Sequence, residues 1–382
     1  MDTQMKEKIT RFIKQEAVLC AALILASVSM LLVPPDGEYI NYIDFRTLAV
    51  LFCLMGVMSG LQKTGLFQWV AETLLTRVRR AWQLVMILVL LCFFSSMLIT
   101  NDVALITFVP FTLTVLGLAG QEIRTRLLVP TVVLQTIAAN LGSMLTPVGN
   151  PQNLYLYGKA GTTLSQFILL MLPYTIASLL LLSAWSLIQS RAHKAPVEVA
   201  FAERTALSGK PLCLGVYALL FFIDLLAVVR AIPYPAALGL TVIGLLLTDR
   251  AIFSHIDYSL LLTFIGFFIF IGNMGRLPQF AGLLQKIVSG NEVLAGIAAS
   301  QVISNVPAAL LLSGFTKDFP SLIIGVNLGG LGTLIASMAS LISYKLVVRR
   351  EKGAVGAYFR YFTTANLWFL GALVLFWVVW GR

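Results

Sequence analysis

Apolar runs long enough to cross a hydrocarbon core, roughly 20 residues each, follow one another along the whole chain, and no polar segment between them is long enough to fold by itself. A chain of 382 residues that is 58% hydrophobic and 12% charged carries more apolar surface than a soluble core of that size can bury. In lipid every backbone polar group needs an internal partner, so the spanning elements must be helices or a closed barrel, and runs of this length are helical. The pattern predicts an all-α polytopic membrane protein with no separate catalytic or regulatory domain. The net charge of +10 lies in short clusters between the apolar runs. That distribution orients a protein in a membrane rather than binding nucleic acid. The apolar run at 17–34 is too long for a cleaved signal and has no A-x-A site, so it reads as a retained first span. Cys20, Cys53, Cys92 and Cys213 are isolated in apolar runs, which supports neither a disulfide framework nor a metal site.

Continuous spans are expected at about 16–34, 44–61, 164–189, 211–230, 234–248, 256–275 and 362–381. Two regions, 82–117 and 291–317, read instead as re-entrant hairpins with polar tips, ITNDVAL at 99–105 and ISNVPAA at 303–309. Two more, 127–157 and 320–347, read as transmembrane helices broken in the middle. From a cytoplasmic N-terminus this path gives about nine full crossings and an external C-terminus. It places the larger share of the 27 Lys and Arg inside.

The broken regions are related. Laying NLGSMLTPVGNPQNLYLY (140–157) over NLGGLGTLIASMASLISY (327–344) pairs Asn140 with Asn327, Gly142 with Gly329, Thr146 with Thr333 and Tyr157 with Tyr344, without a gap. Upstream, ITN at 99–101 falls on ISN at 303–305, and YIDF at 42–45 on HIDY at 255–258. The order span, amphipathic piece (66–77 and 277–288), hairpin, broken helix and closing span occurs twice. The expected organisation is one membrane domain over 1–382. It holds a first repeat at 16–190, a linker with a connecting helix at 191–233, and a second repeat, inverted relative to the first, at 234–382. Inverted repeats with interrupted helices are a secondary-transporter architecture.

Non-helical backbone at membrane depth survives only where it is buried in protein or lines a watery cavity. Pro147 and Pro151 lack amide hydrogens and open a break at 146–151, Gly149 leaves room for a ligand at the backbone, and Asn150, Gln152 and Asn153 supply donors and acceptors. Half-helix ends add partial charges, NH groups for an anion and carbonyls for a cation. The candidate binding set is Thr100, Asn101 and Asp102 at the first tip, Thr146, Pro147, Gly149, Asn150 and Asn153 in the first break, Ser304 and Asn305 at the second tip, and Gly332, Thr333 and Ser337 in the second break. Asp102 is the acid among them and the candidate for proton coupling. It could equally stay ionised beside sodium, or cap a helix starting at Val103. Asp224 ranks below it, Asp44 and Asp257 suit helix caps, and His193 and His255 form no catalytic or metal cluster.

TPVGNPQNL and SNVPAALLL resemble the ion transporter superfamily of arsenite permeases, sodium/proton antiporters and divalent anion/sodium symporters, with a citrate transporter-like domain. The resemblance covers nearly the whole chain and is nearest the arsenite permease and P-protein side. It implies binding roles for Thr100, Asn101, Ser304 and Asn305. The symporter branch has Ser-Asn-Thr at both tips. This chain has Thr100-Asn101-Asp102 at the first, and Val306 then Pro307 after Asn305 at the second. The expected function is secondary active transport, across a bacterial inner membrane, of a small anionic solute by alternating access. The coupling ion is a proton, or sodium near Asn101 and Asn305. No other cofactor and no enzymatic activity are expected; the partners are the solute, the lipid bilayer and, left open, a second copy in a homodimer. The rival readings are a sodium/proton-type cation antiporter of the same fold and the membrane channel subunit of an ATP-driven anion pump.

Overall fold

The computed structural model describes residues 16–76, 78–191 and 211–381. His193 and the 192–210 part of the expected linker lie outside the described residues. The described chain is helical throughout. The first part comprises α1 (Ala17–Leu32), the short α2 (Tyr39–Tyr42), α3 (Phe45–Lys63), α4 (Leu66–Leu75), α5 (Ala81–Ser95), α6 (Asn101–Leu118), α7 (Gln121–Gly142), α8 (Pro151–Ala160) and α9 (Leu164–Arg191). Then come α10 (Pro211–Val228) and α11 (Tyr234–Thr248). The rest is α12 (Tyr258–Gly275), α13 (Pro278–Val288), α14 (Glu292–Ile303), α15 (Asn305–Ser313), α16 (Phe319–Leu328), α17 (Met338–Arg350) and α18 (Val355–Trp380).

Six helices, α3, α6, α7 extended through a 3-10 turn to Leu145, α9, α12 and α18, are long and apolar enough to cross a membrane. Large apolar side chains such as Leu31, Ile188, Leu247 and Val379 stand exposed on the outside of the bundle, as a lipid-facing surface requires. The last helix begins at Val355, several residues before the expected 362. Each hairpin is tighter than its polar letters suggest, because the tip residues are helical. The first turn is confined to 96–100, and Ser304 alone separates α14 from α15.

The same succession of elements occurs in α3 to α9 and in α12 to α18: long helix, short amphipathic helix, two arms, half-helix, break, half-helix, closing helix. Local chemistry recurs with it. Asp44 caps α3 by accepting from the Thr47 amide at 3.0 Å, and Asp257 caps α12 by accepting from the Leu260 amide at 2.9 Å, so both acids do what an N-cap does.

The helices pack as two bodies. α3 lies against α10 and α11, and α12 runs along α1; α5 to α9 and α14 to α18 pack among themselves. The helix ends sort onto two faces. On one, Lys63 pairs with Asp249, Arg124 pairs with Glu351, and Glu16, Asp257 and Lys345 share a cavity. On the other, Arg276 pairs with Asp36 at 2.6 Å and Arg46 donates to the carbonyls of Ala227 and Val228. Hence α3, running from Asp44 to Lys63, and α12, running from Asp257 to Arg276, are antiparallel.

Candidate functional site

Each hairpin tip is bound to the break of its own half by a backbone hydrogen bond. The Asn101 amide donates to the Gly149 carbonyl at 3.1 Å and the Asn305 amide to the Ala336 carbonyl at 2.9 Å; Gly149 and Ala336 are paired when 140–157 is laid on 327–344. The threonines match as well. Thr146 donates through Oγ1 to the Met97 carbonyl and Thr333 through Oγ1 to the Gln301 carbonyl at 3.1 Å. These bonds bring together the N-termini of α6 and α8 in one half and of α15 and α17 in the other. The opposite pole is present too, since α7 and α16 end at the same breaks with their carbonyl ends.

At the first tip Thr100 is the N-cap of α6 and accepts from the Val103 amide at 3.4 Å. Asp102 is therefore inside the first turn and is not the cap, which corrects that reading. Its carboxylate stands at the positive end of the helix dipole, and its Oδ1 is sealed from solvent without a hydrogen-bond partner among the described residues. Asn101 spends Oδ1 on the Asp102 amide at 2.9 Å and donates through Nδ2 to Asn140 Oδ1 at 2.9 Å. At the second tip Ser304 has φ of +73° and ψ of 154°, a conformation that costs a non-glycine residue of order 1–3 kcal/mol. The bond from the amide of its neighbour Asn305 to the Ala336 carbonyl holds it there.

The first break is a 3-10 turn, Ser143–Leu145, followed by non-helical residues 146–150. Pro151 starts α8 at its first position, where a missing amide costs nothing. Asn150 and Asn153 reach back into the break: Asn150 Nδ2 donates to Ser143 Oγ at 2.6 Å, and Asn153 Nδ2 to the carbonyls of Ser143 and Thr146 at 3.3 and 3.4 Å. Asn153 thereby serves carbonyls that the interrupted helix frees, and Asn150 holds the Ser143 hydroxyl. Pro147 is buried beside them. Gly149 packs the break on itself, with the Ser143 carbonyl 2.1 Å from where a Cβ would stand, so the space belongs to the chain and not to a ligand.

The second break is held differently. Gln301, on α14, donates through Nε2 to the carbonyls of Gly329 and Leu331 at 3.0 and 2.9 Å and accepts from the Thr333 amide at 2.9 Å. Gly332 has φ of +108°, with Gln301 Oε1 at 2.2 Å from an added Cβ. Thr333 is exposed, whereas Ser337 is buried and donates to Asn140 Oδ1 at 2.9 Å.

Asn140 and Asn327, paired by the alignment but absent from the candidate set, join the halves at the two breaks. Asn140 Oδ1 takes Asn101 and Ser337 together, and Asn327 Nδ2 donates to Asn153 Oδ1 at 2.7 Å. Both asparagines are buried. The signal that could have found them was the ungapped match itself, which opens on this asparagine in both halves. Left without partners among the described residues around the network are Asp102 Oδ1, Asn150 Oδ1, Asn327 Oδ1, both ends of Gln152, and Ser340 Oγ.

A cavity of about 200 Å³ runs from Glu16, Asp257 and Lys345 on one face to Val306, Pro307 and Met338. These last three residues begin α15 and α17, so the second pair of N-termini is reached from that face. Asp224, outside both halves, is buried; Oδ1 accepts from Thr241 Oγ1 at 2.8 Å and Oδ2 has no partner among the described residues.

Paired half-helix ends at two breaks in an apolar bundle are the geometry of a membrane transporter, and known proteins agree. The model of the citrate transporter family matches residues 9–319. The chain belongs to the citrate transporter family. It is 33% identical over 320 residues to the inner membrane protein YbiR of Escherichia coli (strain K12), covering 81% of this chain and 82% of that one. It is 32% identical over 313 residues to an uncharacterized transporter of Methanocaldococcus jannaschii, covering 81% and 83%. A silicon efflux transporter of Oryza sativa subsp. japonica is 30% identical over 162 residues, 42% of this chain and 32% of the relative. As a member of the citrate transporter family the chain is an integral membrane transporter.

Proposed function

We propose that this protein is a secondary active transporter that moves a small anionic solute by alternating access. The observation that carries the reading is the bonding of four helix N-termini in two pairs, α6 with α8 and α15 with α17, through the Asn101 and Asn305 amides. Helix N-termini supply positive partial charge and NH donors to an anion without a buried cation. The family's name and the silicon efflux relative put citrate and weak oxyacids first among solutes to test. The matching bonds at the two tips and the antiparallel course of α3 and α12 support an inverted repeat, which lets one chain reach two opposed conformations of similar energy. The Lys and Arg distribution supports a cytoplasmic N-terminus and an external C-terminus. In that orientation the cavity at Asp257 and Lys345 faces the cytoplasm.

The test is a thermal-shift and proteoliposome screen of purified protein against citrate, other carboxylates, arsenite, silicic acid, sulfate, phosphate and sodium across pH. A stabilising solute should lose its effect in Asn101→Ala and Asn305→Ala. A solute that stabilises both variants as it does the wild type removes the proposed site. A cation/proton antiporter of the same fold is the second reading, favoured by the unpartnered oxygens of Asp102, Asn150 and Asn327. It predicts proton flux driven by sodium with no anion present.

A further inference from the structure

On the face opposite the Asp257 cavity, between the two helical bodies, lies a separate cavity of about 260 Å³ lined by Asn41, Asp44, Arg46, Tyr155, Lys159 and Phe268, among others. Two cations, Arg46 and Lys159, line it, and a third, Arg230, reaches its wall at Gly158. Arg46 Nη1 lies 3.8 Å from where a Cβ on Gly158 would stand, and Arg230 Nη2 donates to the Gly158 carbonyl at 2.8 Å. Gly158 is thus flanked by both guanidinium groups. Lys159, the next residue, stands over the Tyr155 ring at 5.7 Å.

The three are short of anions. None of them makes an ion pair among the described residues. The acid in the cavity wall, Asp44, has one oxygen on the Thr47 amide and the other on Thr47 Oγ1 at 2.6 Å. Asp36, on the same face, is paired with Arg276, and Glu38 there accepts from Asn41 Nδ2 at 3.0 Å. Capping explains part of the arginine chemistry: Arg46 Nη2 closes the carbonyl end of α10, and Arg230 that of α8. It leaves the other Arg46 donors and the Lys159 ammonium without protein acceptors among the described residues. Three cations around one concavity, one neutralised internally at most, repel each other and focus a positive potential into it.

One face of α8 leads inward from the cavity wall. On α8, Gln152, Tyr155 and Lys159 share one face at intervals of three and four residues. Lys159 is at the cavity, and Tyr155 separates it from the break with its hydroxyl on Ser313 Oγ at 2.9 Å. Gln152, one turn deeper and 1% exposed, has no partner for either end of its amide. A buried amide with neither end satisfied is costly, and it lies where an anion passing Tyr155 would arrive.

We propose that Arg46, Lys159 and Arg230 form a capture subsite for a soluble carboxylate or oxyanion, distinct from the mid-membrane tips and breaks and closed off from them by the Tyr155–Ser313 hydrogen bond. Guanidinium forks suit planar carboxylates and oxyanions. The proposal concerns the loading step of the transport reading above, but anion binding to the subsite does not require transport.

The experiment is amine labelling of Lys159. Protein in spheroplasts, and purified protein in detergent, is treated at pH 8 with a membrane-impermeant amine-reactive reagent, with and without citrate or sulfate. Labelling rates are read peptide by peptide, with Lys63 on the opposite face as the sidedness control. A bound anion that raises the amine pKa by about one unit slows labelling about tenfold. The expected result is labelling of Lys159 from outside, slowed several-fold by citrate or sulfate. The protection persists in Asn101→Ala, where the mid-membrane site is broken, and is lost in Arg230→Gln but partly kept in Arg230→Lys. If Asn101→Ala fails to transport yet keeps protection, the subsite stands whatever becomes of the transport reading. Several outcomes overturn it: no protection by either anion, protection that disappears with Asn101, labelling of Lys159 only in everted vesicles, or protection by anionic lipid alone.

Discussion

If Asn140 joins the two breaks, replacing it must cost more than one hydrogen bond and must couple to the opposite half. Its Oδ1 accepts from Asn101 Nδ2 and from Ser337 Oγ, both at 2.9 Å, and both donors are buried. A hydrogen bond between transmembrane helices contributes about 0.6 kcal/mol on average and up to about 1.7. A buried donor left unpaired adds a penalty of about 1–3 kcal/mol. Asn140→Ala breaks these two bonds and a longer third one, from Asn140 Nδ2 to the Gly330 carbonyl at 3.4 Å, and orphans two donors, so a loss of about 3 kcal/mol or more is expected. Ser337→Ala removes its own donor with the bond and should cost about 1 kcal/mol. The decisive quantity is the double-mutant cycle, measured by reversible unfolding in mixed micelles. In Asn140→Ala/Ser337→Ala the serine has no bond left to lose and no donor left orphaned, so the double variant should be less destabilised than the sum by about 1.5 kcal/mol or more. Additivity within about 0.3 kcal/mol would refute the claim that this bond links the halves.

Replacing Gln301 by Met, the residue at the matching position 97, removes the donors to Gly329 and Leu331 and the acceptor for Thr333. Thermal unfolding should show a loss of about 2–3 kcal/mol, with new protease cleavage near exposed Thr333 and an intermediate effect in Gln301→Glu, which keeps the acceptor. Asp102→Asn preserves shape and removes the titrating group. Uptake driven by an imposed pH gradient should disappear while solute exchange at equal pH continues; gradient-driven uptake in this variant would move proton coupling elsewhere. Outside the membrane, the hydrogen bond from Lys63 holds the Asp249 carboxyl below its usual 3.8, and that from Arg276 does the same to Asp36. Depressed carboxylates stabilise above the unfolded pKa and lose that contribution as pH falls through the folded value. The stability gap between wild type and Asp249→Asn or Asp36→Asn should therefore be present above about pH 4, close below it, and shrink in 1 M salt because the pairs are exposed. A gap that widens on acidification contradicts the pairing.

The helices and their order were legible because length and apolar composition decide them in lipid, and the pairing of 140–157 with 327–344 led to residues that make matching bonds. What the letters concealed is how each break is satisfied. TPVGNPQN reads as free amide chemistry, yet Asn150 and Asn153 spend their Nδ2 groups on Ser143 and Thr146. Gly149 reads as room for a ligand and is filled by a carbonyl of its own break. The second break looks poorer in amides, and its carbonyls are served by Gln301 from another helix. A satisfied and an available amide are the same letter, and only the long-range partner tells them apart. The capping alternative for Asp102 fails for a related reason: Thr100 already caps α6, and a helix needs one N-cap.

The packing gives the transport cycle a mechanical test. α1, α3, α10, α11 and α12 form one body, and α5 to α9 with α14 to α18 form the other. The amphipathic α4 and α13 connect them in sequence, each following a long helix of the first body and preceding a hairpin of the second. The tip-to-break bonds, the Asn140 and Asn327 links and the contact of Trp185 with Tyr361 at 2.9 Å all lie inside the second body. A bond that crosses between bodies is Gln62 Nε2 to Thr107 Oγ1 at 3.0 Å, from α3 to α6. If the site is exposed to each side in turn by moving the second body against the first, that crossing bond must break in every cycle. In a background where the free cysteines Cys20, Cys53, Cys92 and Cys213 are replaced, a short thiol-reactive bridge between Gln62→Cys and Thr107→Cys should stop uptake in proteoliposomes, and cleaving the bridge should restore it. The same bridge between Trp185→Cys and Tyr361→Cys, within one body, should leave uptake near that of the unbridged pair. Transport that continues with the first bridge closed would mean that the hairpins open and close locally, with the bodies fixed.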